Sequence, residues 1–232
     1  ILNQCIELLR ISKQFLIFAV EMDMQNLNMD AYVLSHIDEE PEALKKLTRD
    51  THLYTLKPRM LSGHLQGRML KMFCAMVGAE KIVEIGTFTG YSALCMAEAL
   101  PSHGEIHTFE INDEMEEFLI NLFDKVPNGD KVKLHIGDAL SLLPDLDMEF
   151  DVAFIDGNKR HYVDYFEIIF PKIRKGGLII ADNTLWDGHV LEDSKDAQTL
   201  GIQKFNDYLV SNQLVEKIIL PIRDGMTLIR KL

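Results

Sequence analysis

Asp156, Asp182 and Asn183 each stand just past a short apolar run, Val152-Ala153-Phe154-Ile155 before the first and Leu178-Ile179-Ile180-Ala181 before the other two. Two carboxylates and an amide offer oxygen donors from adjacent strand ends. Such a set suits a hard cation, Mg2+ first and Mn2+ or Ca2+ next, and suits Zn2+ poorly. Lys159, three residues past Asp156, could then serve as a general base in the same site. Taken singly, Asn183 would merely cap the next segment and Lys159 would be a surface lysine. Their company with other acids tips the balance toward chemistry.

Those acids follow from the element order. Lys81-Ile82-Val83-Glu84-Ile85 is an apolar, β-branched run, and Ala93 to Leu100 reads as a helix. The glycine-bearing turn between them, Gly86-Thr87-Phe88-Thr89-Gly90, lets a ligand approach the backbone at the carboxyl end of a strand, beside the free N–H groups of the following helix. Three residues separate Gly86 from Gly90 and no lysine follows, so neither the G-x-G-x-x-G nor the G-x-x-x-x-G-K-[ST] pattern is met and a pyrophosphate cradle is disfavoured. Glu84, in the last turn of the strand, suits a ligand carrying an ammonium or sulfonium group. A structural role, capping a neighbouring backbone, weighs equally at this one residue. Glu110 falls 24 positions after Gly86 (110 − 86), near the spacing at which such folds place a carboxylate on a ribose diol. This indicates an adenosine-like ligand and leaves NAD and S-adenosylmethionine open, with the glycine spacing leaning to the second. Gly90-Tyr91-Ser92-Ala93 fits a nucleophile elbow poorly, because Ser92 lies inside the helix start; it caps the helix or meets the ligand's carboxylate.

The bulk composition narrows the classes. A chain of 232 residues with 47% hydrophobic and 26% charged content can bury one sizeable core. A net charge of −12 argues against nucleic acid or an anionic membrane as the main partner. Cys5, Cys74 and Cys95 are widely spaced in apolar surroundings, so neither a disulfide framework nor a Cys-based metal site is expected, and a reducing cytoplasm fits. The most apolar N-terminal piece, Phe15 to Val20, is too short to span a bilayer and carries no secretory pattern.

In chain order, Ile1 to Val20 carries a rough helical stripe, read as a packing helix. Asn28 to His36 and Pro41 to Tyr54 are also helical and should cover the pocket, Met60 to Arg68 is a loop, and Met69 to Val77 is a helix. Strands at 105–110, 131–136, 151–155 and 178–181 then alternate with helices at 113–125, 140–146 and 161–170, which implies a parallel sheet wrapped on both faces. After a helix from Asp196 to Val210, no helix-sized segment separates the strands at 215–220 and 227–230, so that pair should be antiparallel. One domain with an N-terminal extension is expected: a helical extension over 1–58, packing on the core and at the dimer interface, and an α/β domain over 59–232. The strand ends at Glu84, Glu110, Asp138, Asp156 and Asp182-Asn183 all fall on one rim, where ligands of open α/β sheets bind.

With Glu84 to Ser92, Phe150 to Asp156, Asp182-Asn183-Thr184-Leu185-Trp186-Asp187-Gly188 and Asp224-Gly225-Met226-Thr227-Leu228 in hand, the chain resembles the cation-dependent class I O-methyltransferases, and more the caffeoyl-CoA branch than the animal catechol branch. The resemblance runs from about residue 55 to the C-terminus. It implies a doubly wound, seven-stranded, mostly parallel sheet with an antiparallel last strand, S-adenosylmethionine as methyl donor, a small catechol-like acceptor and a homodimer. By the same resemblance the donor is held at Ser62, Glu84, Gly86, Thr87, Ser92, Glu110 and Ala139, with Asp156 alongside, and Asp156, Asp182 and Asn183 are the cation ligands. Lys159 matches the catalytic base, with Asp156 beside it. Trp186 and Tyr162 are candidates to stack on the acceptor ring, with core packing the default role of each, and Asp187 stands where plant members carry an Asn that touches substrate. Asn158, Gly63 and a short Val190 to Thr199 segment depart from the pattern and bear on the acceptor more than on the reaction. An NAD-linked oxidoreductase is the alternative reading, resting on the strand-turn-helix and Glu110.

Overall fold

The structure, a computed structural model, describes residues 28–232 and divides the chain into Ile1–Pro41 and Glu42–Leu232. In the first unit residues 28–35 form a helix, α1, as their spacing predicts. The stripe from Ile1 to Val20 and Cys5 lie outside the described residues.

The second unit runs α2 (Glu42–Tyr54), α3 (Gly63–Met76), β1 (Lys81–Ile85), α4 (Tyr91–Ala97), β2 (Glu105–Glu110), α5 (Glu116–Phe123), β3 (Val132–Ile136), α6 (Ala139–Leu142), β4 (Phe150–Ile155), α7 (Tyr162–Ile169), β5 (Ile173–Asp182), α8 (Ala197–Ser211), β6 (Val215–Leu220) and β7 (Met226–Lys231). The seven strands form one sheet in the order β3-β2-β1-β4-β5-β7-β6. Pairs among β1 to β5 are parallel, while β7 is antiparallel to both β5 and β6. The order reverses beside β1, where β4 crosses to its other edge; a crevice opens at such a switch point beyond the carboxyl ends of the strands.

Side-chain alternation builds a core on each face. Ile82, Val152 and Phe154 pack with Leu47, Leu70, Tyr91 and Met96 under α2, α3 and α4. Val83, Ala153 and Ile155 pack with Phe166, Ile169, Phe205 and Ile229 under α7 and α8. Strands buried on both sides must be apolar nearly throughout, which is why β1 and β4 read as apolar runs. Among the described residues no helix is long and apolar enough to cross a membrane.

Leu44 and Leu47 of α2 are buried in the first core, and the compact unit runs from Glu42. Two expectations are corrected. The stretch Met60 to Arg68 is mostly helix: α3 starts at Gly63, and its polar residues Gln66 and Arg68 are buried. Gly67 makes this fit, since a Cβ there would lie 2.6 Å from Cys95 Sγ of α4, so the two helices meet closely only over a glycine. Strand β5 starts at Ile173, five residues before the expected Leu178 (178 − 173), and a register shift between Phe150 and Val152 lets it pair with β4 along that length.

Candidate active site

Gly86 joins two of the predicted functional segments. Its φ is +102°, and a Cβ there would sit 2.4 Å from the backbone oxygen of Asp156, while Asp156 N donates to Ile85 O at 2.9 Å. The turn after β1 and the turn after β4 therefore touch through bare backbone. Parallel neighbours with no side chain between them bring the two halves of the rim within reach of one ligand.

Glu84 is fully buried at 0% exposure on the α3/α4 face of β1. Its Oε2 accepts from the Thr108 hydroxyl at 2.5 Å, and Thr108 in turn lies 2.5 Å from the Thr87 hydroxyl. Thr108 is its register partner on β2. Oε1 has no hydrogen-bond partner, while the Ser92 hydroxyl acts with Thr108 to hold the carboxyl down. Burial dominates and pushes the group up to about 8, against the Ser92 and Thr108 hydroxyls and helped by the charges of Asp156 and Glu110. A buried acid with an unpaired oxygen facing a turn is what a cationic ligand group would complete.

Glu110 ends β2 with its carboxylate on backbone: Oε2 accepts from Phe88 N at 2.7 Å and Oε1 from Asn112 N at 2.9 Å. It ties the turn after β1 to its own strand end. Ser92, in the first turn of α4, and Thr87 are buried beside Glu84; Ala139 is the buried first residue of α6, whose N-cap Asp138 accepts from Leu140 N. Ser62 is buried just ahead of α3, and its carbonyl accepts from Arg223.

The acids after β4 and β5 gather around one lysine. Lys159, 7% exposed, donates to Asp156 Oδ1 at 2.8 Å and to the Tyr162 hydroxyl at 2.7 Å. Tyr162 donates to Asp182 O at 3.0 Å. Asp182 Oδ2 accepts from Gln66 Nε2 at 2.6 Å and Oδ1 from its neighbour Asn183 N at 2.9 Å. Burial first, and then the charge of Asp156, raise the Asp182 carboxyl to about 6, with Gln66, the Asn183 N–H and Lys159 holding it down. The two carboxylates are thus close enough to repel, with one buried ammonium between strand ends to balance them.

Asn183 takes a left-handed φ of +54°, and its side chain bonds Asp224, which also accepts from Asp187 N. Because an amide meets a carboxylate through its nitrogen, the amide oxygen is left over. Among the described residues no three His, Cys, Asp or Glu are grouped to hold a metal. The set here is two carboxylates that repel each other and a neutral amide, all offering oxygen, and its chemistry fits a hard divalent cation.

Tyr162 is corrected. It is 0% exposed, edge-on to Phe205 at 5.4 Å, and its hydroxyl faces Lys159 and the backbone, so it forms the wall behind the lysine and presents no face to an acceptor ring. Trp186 is half-buried against the second core, and Asp187 is exposed. Five of the six non-glycine residues with positive φ, namely Phe88, Asn183, Trp186, Asp187 and Arg223, stand on these rim turns, with Asn128 the exception. Such strain concentrates where a site demands it.

Sequence reasoning missed Thr108, Gln66, Arg223 and Asp224. Thr108 was legible in principle, since it alternates onto the Glu84 face. Gln66 was hidden in a stretch read as loop, Arg223 finds Ser62 161 positions away (223 − 62), and Asp224 finds Asp187 37 positions away (224 − 187).

The chain matches the family model described as O-methyltransferase over residues 34–232. Caffeoyl-CoA O-methyltransferase 2 of Zea mays is 37% identical over 207 residues, covering 83% of this chain and 77% of that protein. The caffeoyl-CoA O-methyltransferase of Stellaria longipes is 31% identical over 90% of this chain and 92% of its own. Among solved structures, the O-methyltransferase TomG of Streptomyces achromogenes, in complex with SAM, superposes with a TM-score of 0.82 at 30% identity over 88% of this chain and 96% of that one. SAH-bound PaMTH1 of Podospora anserina gives 0.83 at 28% identity, covering 90% and 96%.

Proposed function

From the premise that the chain belongs to the O-methyltransferase family, we propose that it moves the methyl group of S-adenosylmethionine onto one hydroxyl of a small catechol-like vicinal diol, with a divalent cation, Mg2+ first, held by Asp156, Asp182 and Asn183. The observation that supports the cation is the pair of strand-end carboxylates, Asp182 buried and Asp156 half-buried, with burial first and the charge of Asp156 second raising Asp182 to about 6. The nicotinamide alternative is set aside with the family.

Each proposed role follows from a side chain's surroundings. Glu84, a neutral acid while unpartnered, becomes the carboxylate that meets the donor's ammonium, and Thr108 and Thr87 hold it in place. Ser92, Ser62, Gly86, Ala139 and Glu110 complete the donor's surroundings on the same rim. The donor supplies a sulfonium-bound methyl, and a bound cation would favour the phenolate form of a diol oxygen. Lys159 would take the phenolic proton on Nζ as a neutral amine, after giving up its own proton once a cation takes its place beside Asp156, with Tyr162 holding it in position. Trp186 offers the acceptor ring a face, and Asp187 a polar contact. Since the attack joins an anion to a cation, the exclusion of water by the walls around Glu84 and Lys159 favours it. A homodimer is the proposed assembly, and the mass of the chain in solution would test it.

Excess chelator should abolish methylation of a catechol acceptor, and added Mg2+ should restore it. Undiminished turnover in chelator would reject the cation.

A further inference from the structure

Arg223 sits on the β6–β7 turn with a φ of +52°, a conformation that an L side chain adopts only under strain. Its guanidinium nevertheless reaches three partners at the start of α3. Nη1 donates to Ser62 O and, at 2.6 Å, to Gln66 Oε1; Nη2 donates to Leu61 O at 3.2 Å. The Gln66 amide is thereby fixed with its nitrogen toward Asp182, donating to Oδ2 at 2.6 Å. With Oε1 held by an arginine, which only donates, Gln66 cannot flip and turn its oxygen on the carboxylate.

The geometry points to Arg223 as a positioning residue: it latches the β6–β7 turn to the Leu61–Gln66 segment and, through Gln66, orients the Asp182 carboxylate. The inference rests on the proposal that Asp182 is a cation ligand. The arginine fork reaches these acceptors from two nitrogens held in one plane, Nη1 and Nη2, whereas a lysine would have to bring them all to a single nitrogen.

The strain separates positioning from mere support. Arg223→Gly removes the latch and relaxes the turn, so the melting temperature of the full chain should hold or rise while binding weakens. Mn2+ affinity, measured by titration with electron paramagnetic resonance, should fall about ten-fold in Arg223→Gly, the loss expected of one hydrogen bond to a charged group. Arg223→Lys should show the same loss without the relaxation. Gln66→Met, close in shape, should match Arg223→Gly, and the double variant should be no worse than Gln66→Met, since both act on one carboxylate. Equal Mn2+ affinity in Arg223→Gly and the parent, or losses that add, would overturn the latch. Should the parent chain bind no Mn2+ at all, the cation proposal fails separately, and the latch is decided by amide hydrogen exchange. Faster exchange over Leu61–Gln66 in Arg223→Gly supports it, and unchanged protection refutes it.

Discussion

Replacing Glu84 by Gln sets folding against ligand binding at a single atom pair. In the unfolded chain this carboxyl titrates at its ordinary 4.5; in the folded chain burial pushes it up to about 8. The folded state therefore binds more protons between those values. Stability is fully present below pH 4.5 and is lost as pH rises toward 8. At about 1.4 kcal/mol per unit of difference, the loss reaches about 5 kcal/mol above the folded value and about 3 kcal/mol at pH 7. Gln keeps the shape and the acceptor for Thr108 and has no charge to bury. The variant should thus melt about 6 to 12 °C higher than the parent at pH 7 and equally at pH 4.5. Melting curves of both chains from pH 4.5 to 8.5, taken as a difference, cancel every other titrating group they share. The same carboxyl must ionise to meet an ammonium, so calorimetry of S-adenosylmethionine binding in buffers of different ionisation enthalpy should show release of about 0.9 proton at pH 7 in the parent. The variant should show none and bind far more weakly. Parallel melting curves, or binding without proton release, would refute a neutral Glu84.

Lys159→Met should lower kcat by about 100-fold or more while donor affinity, read by calorimetry, stays within a few-fold, as expected when a general base is lost; equal losses in both would remove Lys159 from proton transfer. Gly86→Ala meets the Asp156 carbonyl at 2.4 Å in a left-handed turn, and should cost about 3 kcal/mol or more in urea unfolding and abolish donor binding, because backbone cannot yield as a side chain can. Gly67→Ala gains about 1 kcal/mol of helix propensity but crowds Cys95 Sγ at 2.6 Å, so net destabilisation is expected. Adding Cys95→Ala should recover only part of the loss, because the Tyr91 ring still stands 2.9 Å from the new Cβ.

The parallel strands were legible because burial on both faces leaves them apolar end to end, and their parallel pairing followed from alternation with helices. The acids at the rim were legible for the same reason: a charge directly after such a run has nowhere to be except the sheet edge. What escaped is what depends on partners distant in sequence. Gln66 and Arg68 look like loop residues until Asp182 and Glu98 are placed beside them, Gln66 2.6 Å from the first and Arg68 2.9 Å from the second. Tyr162 looked like a stacking platform because aromatic residues near a site usually are candidates for one; its hydroxyl's three partners, Lys159 and the Ile155 and Asp182 carbonyls, turn it inward.

The two halves of the rim are linked by charge as well as by backbone. Asp156 contributes to raising Glu84 on one side and Asp182 on the other, so each carboxyl feels the other's partner through it. A cation at Asp156 and Asp182 would screen the charge that opposes ionisation of Glu84, and an ammonium at Glu84 would add a positive charge on the far side of Asp156. Ionising Glu84 for the donor is easier once Asp156 is neutralised. Under the proposed function, then, cation and donor should bind with mutual dependence. By linkage the factor must be the same in either order. Binding of S-adenosylmethionine measured with and without Mg2+, and of Mn2+ with and without S-adenosylhomocysteine, should give unequal factors, because the product's uncharged sulfur leaves only its ammonium to report. Identical factors for donor and product would locate the coupling at Glu84 alone; no coupling in either would mean that the Asp156 charge is already balanced by Lys159.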